Sequence, residues 1–266
     1  MWKASLCDSS CRLSRNTPPR TGPEYAMIIS HAWKFIFLKT NKTAGTSVEI
    51  ALSKFCGPDD IITPISQRDE RLRRRLGYRG PQNFCARPGG GFLDRCAGVG
   101  LGPLKRPRFY NHMPAKKVRA YVGEQVWADY LKFCIERHPL DRLVSMYFWR
   151  YRNGKRPPFP EFLESREARK LKRKGIDVYT IDRQVAVDRI CRFENLHDEM
   201  ARIAEILGLP GDIEIPRAKN GFRKDNVRIH DLAGQEEIEQ AARMFRDECR
   251  LLGYSVEPAR PSSEEA

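Results

Sequence analysis

A lysine, a glycine and three hydroxyl side chains fall together between residues 42 and 47, as Lys42, Thr43, Gly45, Thr46 and Ser47. Such a set suits a bound phosphate or sulfate. Lys42 is a mobile cation, the hydroxyls are hydrogen-bond donors, and Gly45 lets the backbone approach an anion closely. A second set lies further along. Arg137 stands at the end of one apolar run and Ser145 inside the next amphipathic stretch. A guanidinium at a strand end and a hydroxyl on the adjoining helix can hold one phosphate together. A plain ion pair of Arg137 with Glu136 or Asp141 is the other reading of that residue.

These side chains need elements to position them. Lys34–Leu38 (KFIFL) is a short apolar run that predicts a buried strand. Lys39–Gly45 (KTNKTAG) is a polar loop, and Val48, Ala51, Leu52 and Phe55 then recur at helical spacing. The loop therefore opens a helix, where the first amides lack intrahelical partners and carry partial positive charge. A simple helix cap with an incidental lysine would give the same local pattern. The GK pair of a nucleotide triphosphatase loop is missing, and no strand-end aspartate is evident to hold magnesium. Tyr130–Glu136 predicts a second buried strand, and Leu140, Leu143, Val144, Tyr147, Phe148 and Tyr151 predict a helix with Pro139 in its first turn. Ser145 falls opposite that apolar stripe. Further helices are expected over 161–174, Asn195–Leu207 and Gln235–Leu252, with strands near Val178–Ile181 and Val185–Phe193. Strands alternating with helices imply a three-layer, P-loop-like α/β fold whose central, mostly parallel sheet is flanked by helices.

The chain has 266 residues, 41% hydrophobic, with 48 Lys and Arg against 34 Asp and Glu. That size suits one domain with a substantial core, and the basic excess favours an anionic partner. The expected organisation is a disordered segment over 1–26, one domain over 27–256 with a long irregular insertion at 57–109, and a disordered tail at 257–266. Met27 is an alternative start. No apolar run approaches a membrane span, so no integral membrane segment is expected. Residues 1–26 lack the apolar middle of a secretory signal, which makes a reducing cytoplasm the simpler compartment. The eight cysteines lack paired zinc spacing, so no metal is expected, and Cys56, Cys134, Cys191 and Cys249 read as free core thiols. Asn41-Lys42-Thr43 is formally a glycosylation sequon, and a glycan there would block the loop.

In combination the segments resemble the sulfotransferase family, in its Golgi-carbohydrate and bacterial family 2 branch. KFIFLKTNKTAGTSVE is similar to that family's strand and phosphosulfate loop. LKFCIERHPLDRLVSMYFWRYR resembles its 3′-phosphate segment, RxPxxRxxS followed by aromatics. YNHMPAKKVRAYVGEQVWADY, ICRFENLHDEMARIAEILGL and RMFRDECRLLGY resemble its intervening HxxA segment, its FENL stretch and its C-terminal GY helix. The likeness covers 33–56, 110–152 and 186–254.

What the resemblance implies is a co-substrate, 3′-phosphoadenosine 5′-phosphosulfate (PAPS), used without a metal. Lys42 would stabilise the bridging oxygen. The amides of Ala44, Gly45, Thr46 and Ser47, with the Thr43, Thr46 and Ser47 hydroxyls, would cradle the 5′-phosphate. Arg137 and Ser145 would hold the 3′-phosphate, and Lys39 is counted with the donor-binding residues. His112 is the candidate base for the acceptor hydroxyl because imidazole titrates near neutrality, with Glu49 as its rival. Arg217, Lys219, Arg223 and Lys224 are candidates for a further basic loop. The acceptor is a hydroxyl of a carbohydrate or other molecule, acidic glycans included. A P-loop small-molecule kinase and a non-catalytic anion-binding or nucleic-acid-binding protein are the alternatives. No zinc-finger, RNP or helix-turn-helix pattern appears, so no nucleic-acid partner is expected.

Overall fold

The computed structural model describes residues 27–85, 109–216 and 227–255. The expected disordered ends, the second half of the 57–109 insertion and the basic loop Arg217–Asn226 lie outside the described residues.

The chain order is β1 (Ile28–Ser30), β2 (Phe35–Leu38), α1 (Gly45–Leu52), β3 (Ile61–Ile62), α2 (Gln67–Arg75), α3 (Ala115–Val122), α4 (Glu124–Asp129), β4 (Leu131–Glu136), α5 (Pro139–Arg150), α6 (Phe159–Leu163), α7 (Arg166–Gly175), β5 (Thr180–Ile181), β6 (Gln184–Val185), β7 (Arg189–Arg192), α8 (Leu196–Leu207) and α9 (Gln235–Leu252). Five strands form one sheet in the order β3-β1-β2-β4-β7. β2, β4 and β7 run parallel, with Phe37 level with Phe133 and Cys134 level with Ile190. β1 and β3 join antiparallel. The expected α/β architecture is therefore present, with its parallel part confined to the three strands that lead into the helices.

Alternation along β2 and β4 explains the layers. Phe35, Phe37, Phe133 and Ile135 point to one face, against Val48, Ala51 and Leu52 of α1 and Met200, Ile203 and Ala204 of α8. Ile36, Leu38 and Cys134 point to the other, against Ala115 and Val118 of α3 and Trp127 of α4. Both faces are covered, which is why these strands read as continuous apolar runs. A further cluster joins α5, α6, α7 and α9 through Leu143, Phe148, Phe162, Ala168, Ala241 and Phe245.

Two stretches differ from expectation. Residues 57–85 are not irregular: β3 pairs with β1, and α2 starts on Ser66, whose side chain accepts from the Asp69 amide. Buried Asp60 holds this region to the β1–β2 turn by accepting from the Ser30 hydroxyl and from the amides of Gly57, His31 and Ala32. The Gly and Pro content hid that tertiary clamp. Similarly, 161–174 is two helices separated at Glu164–Ser165, with Ser165 capping the second. The strand expected over 185–193 begins only at Arg189, because β5 and β6 form a separate small hairpin.

Candidate active site

β2 and β4 are neighbours and parallel, so the loops that follow them leave the same edge of the sheet. The β2 loop is laced to β4: the Thr40 hydroxyl donates to the Ile135 carbonyl and contacts the Thr43 hydroxyl at 2.8 Å. Lys42 and Ala44 both adopt the left-handed backbone conformation, at φ 64° and 57°. For residues with a side chain this costs on the order of 1 kcal/mol or more each, and such strain is concentrated at ligand-binding loops. Ala44 is the N-cap of α1 and no side chain caps the helix. The capping reading of this loop therefore fails. The Ser47 and Val48 amides bond to the Ala44 carbonyl at 2.9 and 3.3 Å. The Gly45 and Thr46 amides precede that ladder, and amides in this position at a helix start suit an anion.

Behind the loop lies a buried charge network. Lys39 turns inward, its Nζ donating to Thr46 Oγ1 at 2.8 Å and to Glu49 Oε2 at 3.4 Å. Arg73 of α2 donates to Glu49 Oε1 at 3.2 Å and to Glu70 at 3.0 Å. Glu49 is fully buried, and that burial raises its carboxyl against the opposing pull of Lys39 and Arg73. It is no candidate base, because no acceptor can reach it. Lys39, Thr43 and Thr46 thus direct their polar atoms into the protein, and Ser47 is nearly buried. Gly45 is also explained differently from expectation. A Cβ there would lie 2.6 Å from Lys39 Cγ, so the lysine stem occupies the space a side chain would need.

At the β4 end, Arg137 Nη2 lies 3.4 Å from Asp141, and its guanidinium stacks 4.4 Å from the centre of the Phe193 ring. The next residue, His138, N-caps α5 through its side chain, with Pro139 in the first turn. His138 and Tyr254 share Glu194 of the FENL stretch, through the His138 amide at 3.0 Å and the Tyr254 hydroxyl at 2.7 Å. A second buried network sits beneath: Arg142 bonds Glu136 at 2.8 Å and Glu248 of α9 at 2.6 Å. Burial, reinforced by Glu248 and opposed by Arg142, pushes the Glu136 carboxyl up to about 8.

One helix face joins the two sets. Asp141, Ser145 and Trp149 recur at four-residue spacing on α5, all half-buried, while Leu140, Leu143, Val144 and Tyr147 turn to the core. Arg137 contacts the first of the three, and Lys42 Nζ lies 5.0 Å from the centre of the Trp149 ring. Ser145 is midway, and Asp141 and Trp149 are ~12 Å apart along the axis at the usual helical rise. His112 approaches from the segment before α3, with φ 54°, its Nδ1 2.8 Å from the Lys39 carbonyl. A carbonyl only accepts, so Nδ1 carries the hydrogen and Nε2 is the basic nitrogen of the neutral ring. This carbonyl contact gives His112 a structural role, and it also orients the ring.

A model of the sulfotransferase family matches residues 25–255. The chain belongs to the sulfotransferase family. It is also similar to an uncharacterized protein of Archaeoglobus fulgidus, 31% identical over 120 residues, which is 42% of this chain and 98% of that protein. No solved structure matches.

Membership implies sulfo transfer with PAPS as co-substrate. It decides between the sulfo-transfer and kinase readings of the loop. The uncapped start of α1 beside Lys42, and Arg137 at the neighbouring strand end, fit a donor with two separate anionic ends. No helix among the described residues is long and apolar enough to cross a membrane. Trp149, Phe193, Arg142 and Glu248 were not singled out from the sequence. The four-residue spacing from Asp141 to Trp149 was the available signal for the first. The pairing of Arg142 with Glu248 spans 106 residues and left no local signal.

Proposed function

We propose that this sulfotransferase moves a sulfo group from PAPS to a carbohydrate hydroxyl at the common edge of β2 and β4. The observation that carries the reading is the convergence of Lys42 and Arg137 on one face of α5. PAPS supplies a sulfo group joined to its 5′-phosphate through a bridging oxygen. Lys42 stabilises charge on that oxygen as its bond to sulfur breaks, with the Gly45 and Thr46 amides on the phosphate. Arg137 and Ser145 hold the 3′-phosphate, and stacking on Phe193 orients the guanidinium. His112 Nε2 takes the proton from the acceptor hydroxyl as its oxygen bonds to sulfur. The basic balance of the chain favours an acidic acceptor, acidic glycans included. A reducing compartment belongs to this reading, supported by the free thiols Cys56, Cys134, Cys191 and Cys249 in the core.

Thermal stabilisation by 3′-phosphoadenosine 5′-phosphate (PAP) tests the donor site. At saturating PAP without magnesium, Tm should rise by about 5 °C or more. No rise with PAP, or a rise only with ATP and magnesium, would overturn the reading. Labelled PAPS with a panel of hydroxylated acceptors then identifies the acceptor.

A further inference from the structure

The turn that follows α9 reaches the β4 end of the site. Gly253 ends that helix in the left-handed conformation at φ 66°, which glycine adopts at least cost. The Tyr254 amide then closes the turn on the Cys249 carbonyl at 2.9 Å. Tyr254 is thereby placed beside the loops that leave β4 and β7. The Arg192 guanidinium lies 4.5 Å from its ring centre and donates to the Leu252 carbonyl at 2.8 Å. The His138 ring lies 5.1 Å from it, and the Tyr254 hydroxyl donates to Glu194 Oε2 at 2.7 Å. Burial, and then the Glu194 carboxylate, push the tyrosine pKa well up, so the hydroxyl stays a donor.

These contacts converge on what supports Arg137. Glu194 Oε1 accepts from the His138 amide at 3.0 Å, which fixes the peptide that follows Arg137. Phe193, the residue before Glu194, carries the Arg137 guanidinium 4.4 Å from its ring centre. Two consecutive residues thus hold Arg137 by its backbone and by its side chain. The His138 ring is committed as well. Its Nε2 lies 3.2 Å from the Ser255 carbonyl, which only accepts, so Nε2 carries the hydrogen. Nδ1 is then the acceptor that the Leu140 amide meets at 3.3 Å, at the start of α5. Burial lowers the imidazole pKa and favours this neutral form. The contact between His138 and Ser255 spans 117 positions, so distant parts of the chain close one set of bonds around Arg137.

We propose that Tyr254, Glu194 and His138 are positioning residues for the 3′-phosphate end of PAPS, with the turn after α9 acting as a latch that sets the Arg137 guanidinium. This rests on the assignment of Arg137 to that phosphate. None of the three needs to touch the donor. The latch limits the orientations open to a long side chain, whose rotamer freedom would otherwise be lost when the phosphate arrives.

The test uses the full chain and two ligands that differ only in the 3′-phosphate, PAP and adenosine 5′-phosphate, with calorimetric dissociation constants. The unaltered chain should prefer PAP by about 30-fold or more. Tyr254→Phe keeps the ring and removes one hydrogen bond, and should cut that preference about fivefold. Glu194 is exposed, so Glu194→Ala should leave the chain folded while cutting the preference by about tenfold. Glu194→Gln should restore much of it, because its amide can accept from the His138 amide and donate to the Tyr254 oxygen. In the Arg137→Ala background, Tyr254→Phe should cause no further loss. In steady-state kinetics the Tyr254→Phe effect should fall on the KM for PAPS more than on kcat. An unaltered preference in both Tyr254→Phe and Glu194→Ala overturns the latch. So does an equal loss of both ligands, or a further loss once Arg137 is gone. No preference for PAP in the unaltered chain would instead overturn the assignment of Arg137 on which the latch rests.

Discussion

The ends of β2 and β4 meet one demand with opposite charge arrangements. Each must hold an outward-reaching cation, Lys42 or Arg137, on a loop that leaves the sheet. At the β2 end two buried cations, Lys39 and Arg73, enclose one buried carboxylate, Glu49, with Glu70 on the outer side of Arg73. At the β4 end two carboxylates, Glu136 and Glu248, enclose one buried cation, Arg142. A buried charge survives only when paired, so each network ties elements that the chain order keeps apart: α1 to α2 in one case, α5 to α9 in the other. In the proposed reading the β4 end grips its anion with the Arg137 guanidinium, and the β2 end spreads its grip over amides and Lys42.

That contrast sets expected effects. Lys42→Ala should lower turnover by about 100-fold or more, as losing a transition-state contact does, with a smaller change in PAP affinity. Arg137→Ala should instead act mainly on the KM for PAPS. If the two variants behave alike in steady-state kinetics, the assigned division of labour is wrong. His112→Ala should leave PAP binding intact and cut turnover at least about tenfold; an unchanged rate would leave His112 only its contact with the Lys39 carbonyl. Both networks should be needed for folding, because removing one partner strands a buried charge. Glu49→Ala and Glu248→Ala should each cost about 3–5 kcal/mol in chemical denaturation. A loss under 1 kcal/mol at either would show that network to be hydrated.

The smallest effect concerns pH. Glu136 has an ordinary value of 4.5 and is pushed up to about 8. The folded chain then binds more protons than the unfolded one between those values. The resulting stability is fully present below about 4.5 and is lost as pH rises through about 8. Tm should therefore fall between pH 6 and pH 9, and Glu136→Gln should flatten the slope. An equal slope in the variant would locate the titration elsewhere.

Local periodicity carried much of the fold. The runs at β2 and β4, the helices α1, α5, α8 and α9, and Pro139 at the start of α5 follow from spacing within about a dozen residues, which is the range over which side-chain patterning acts. The sulfotransferase segments could be read for the same reason, since each motif sits within a single strand–loop–helix unit. Residues 57–85 could not, because Asp60 finds its partners near residue 30 and Arg73 finds Glu49 across 24 positions.

The sequence by itself determined which segments are strands or helices, which loops follow β2 and β4, and which family the motifs resemble. Tertiary structure alone decided which of those polar side chains turn into the protein. Lys39, Thr43 and Thr46 turn inward, Glu49 is sealed, and Gly45 yields its space to a lysine stem. It also laid Trp149 beneath Lys42 and Arg152. A polar residue at a given spacing takes the partner with the best pairing once desolvated, and that partner is supplied by whichever element the packed chain brings alongside.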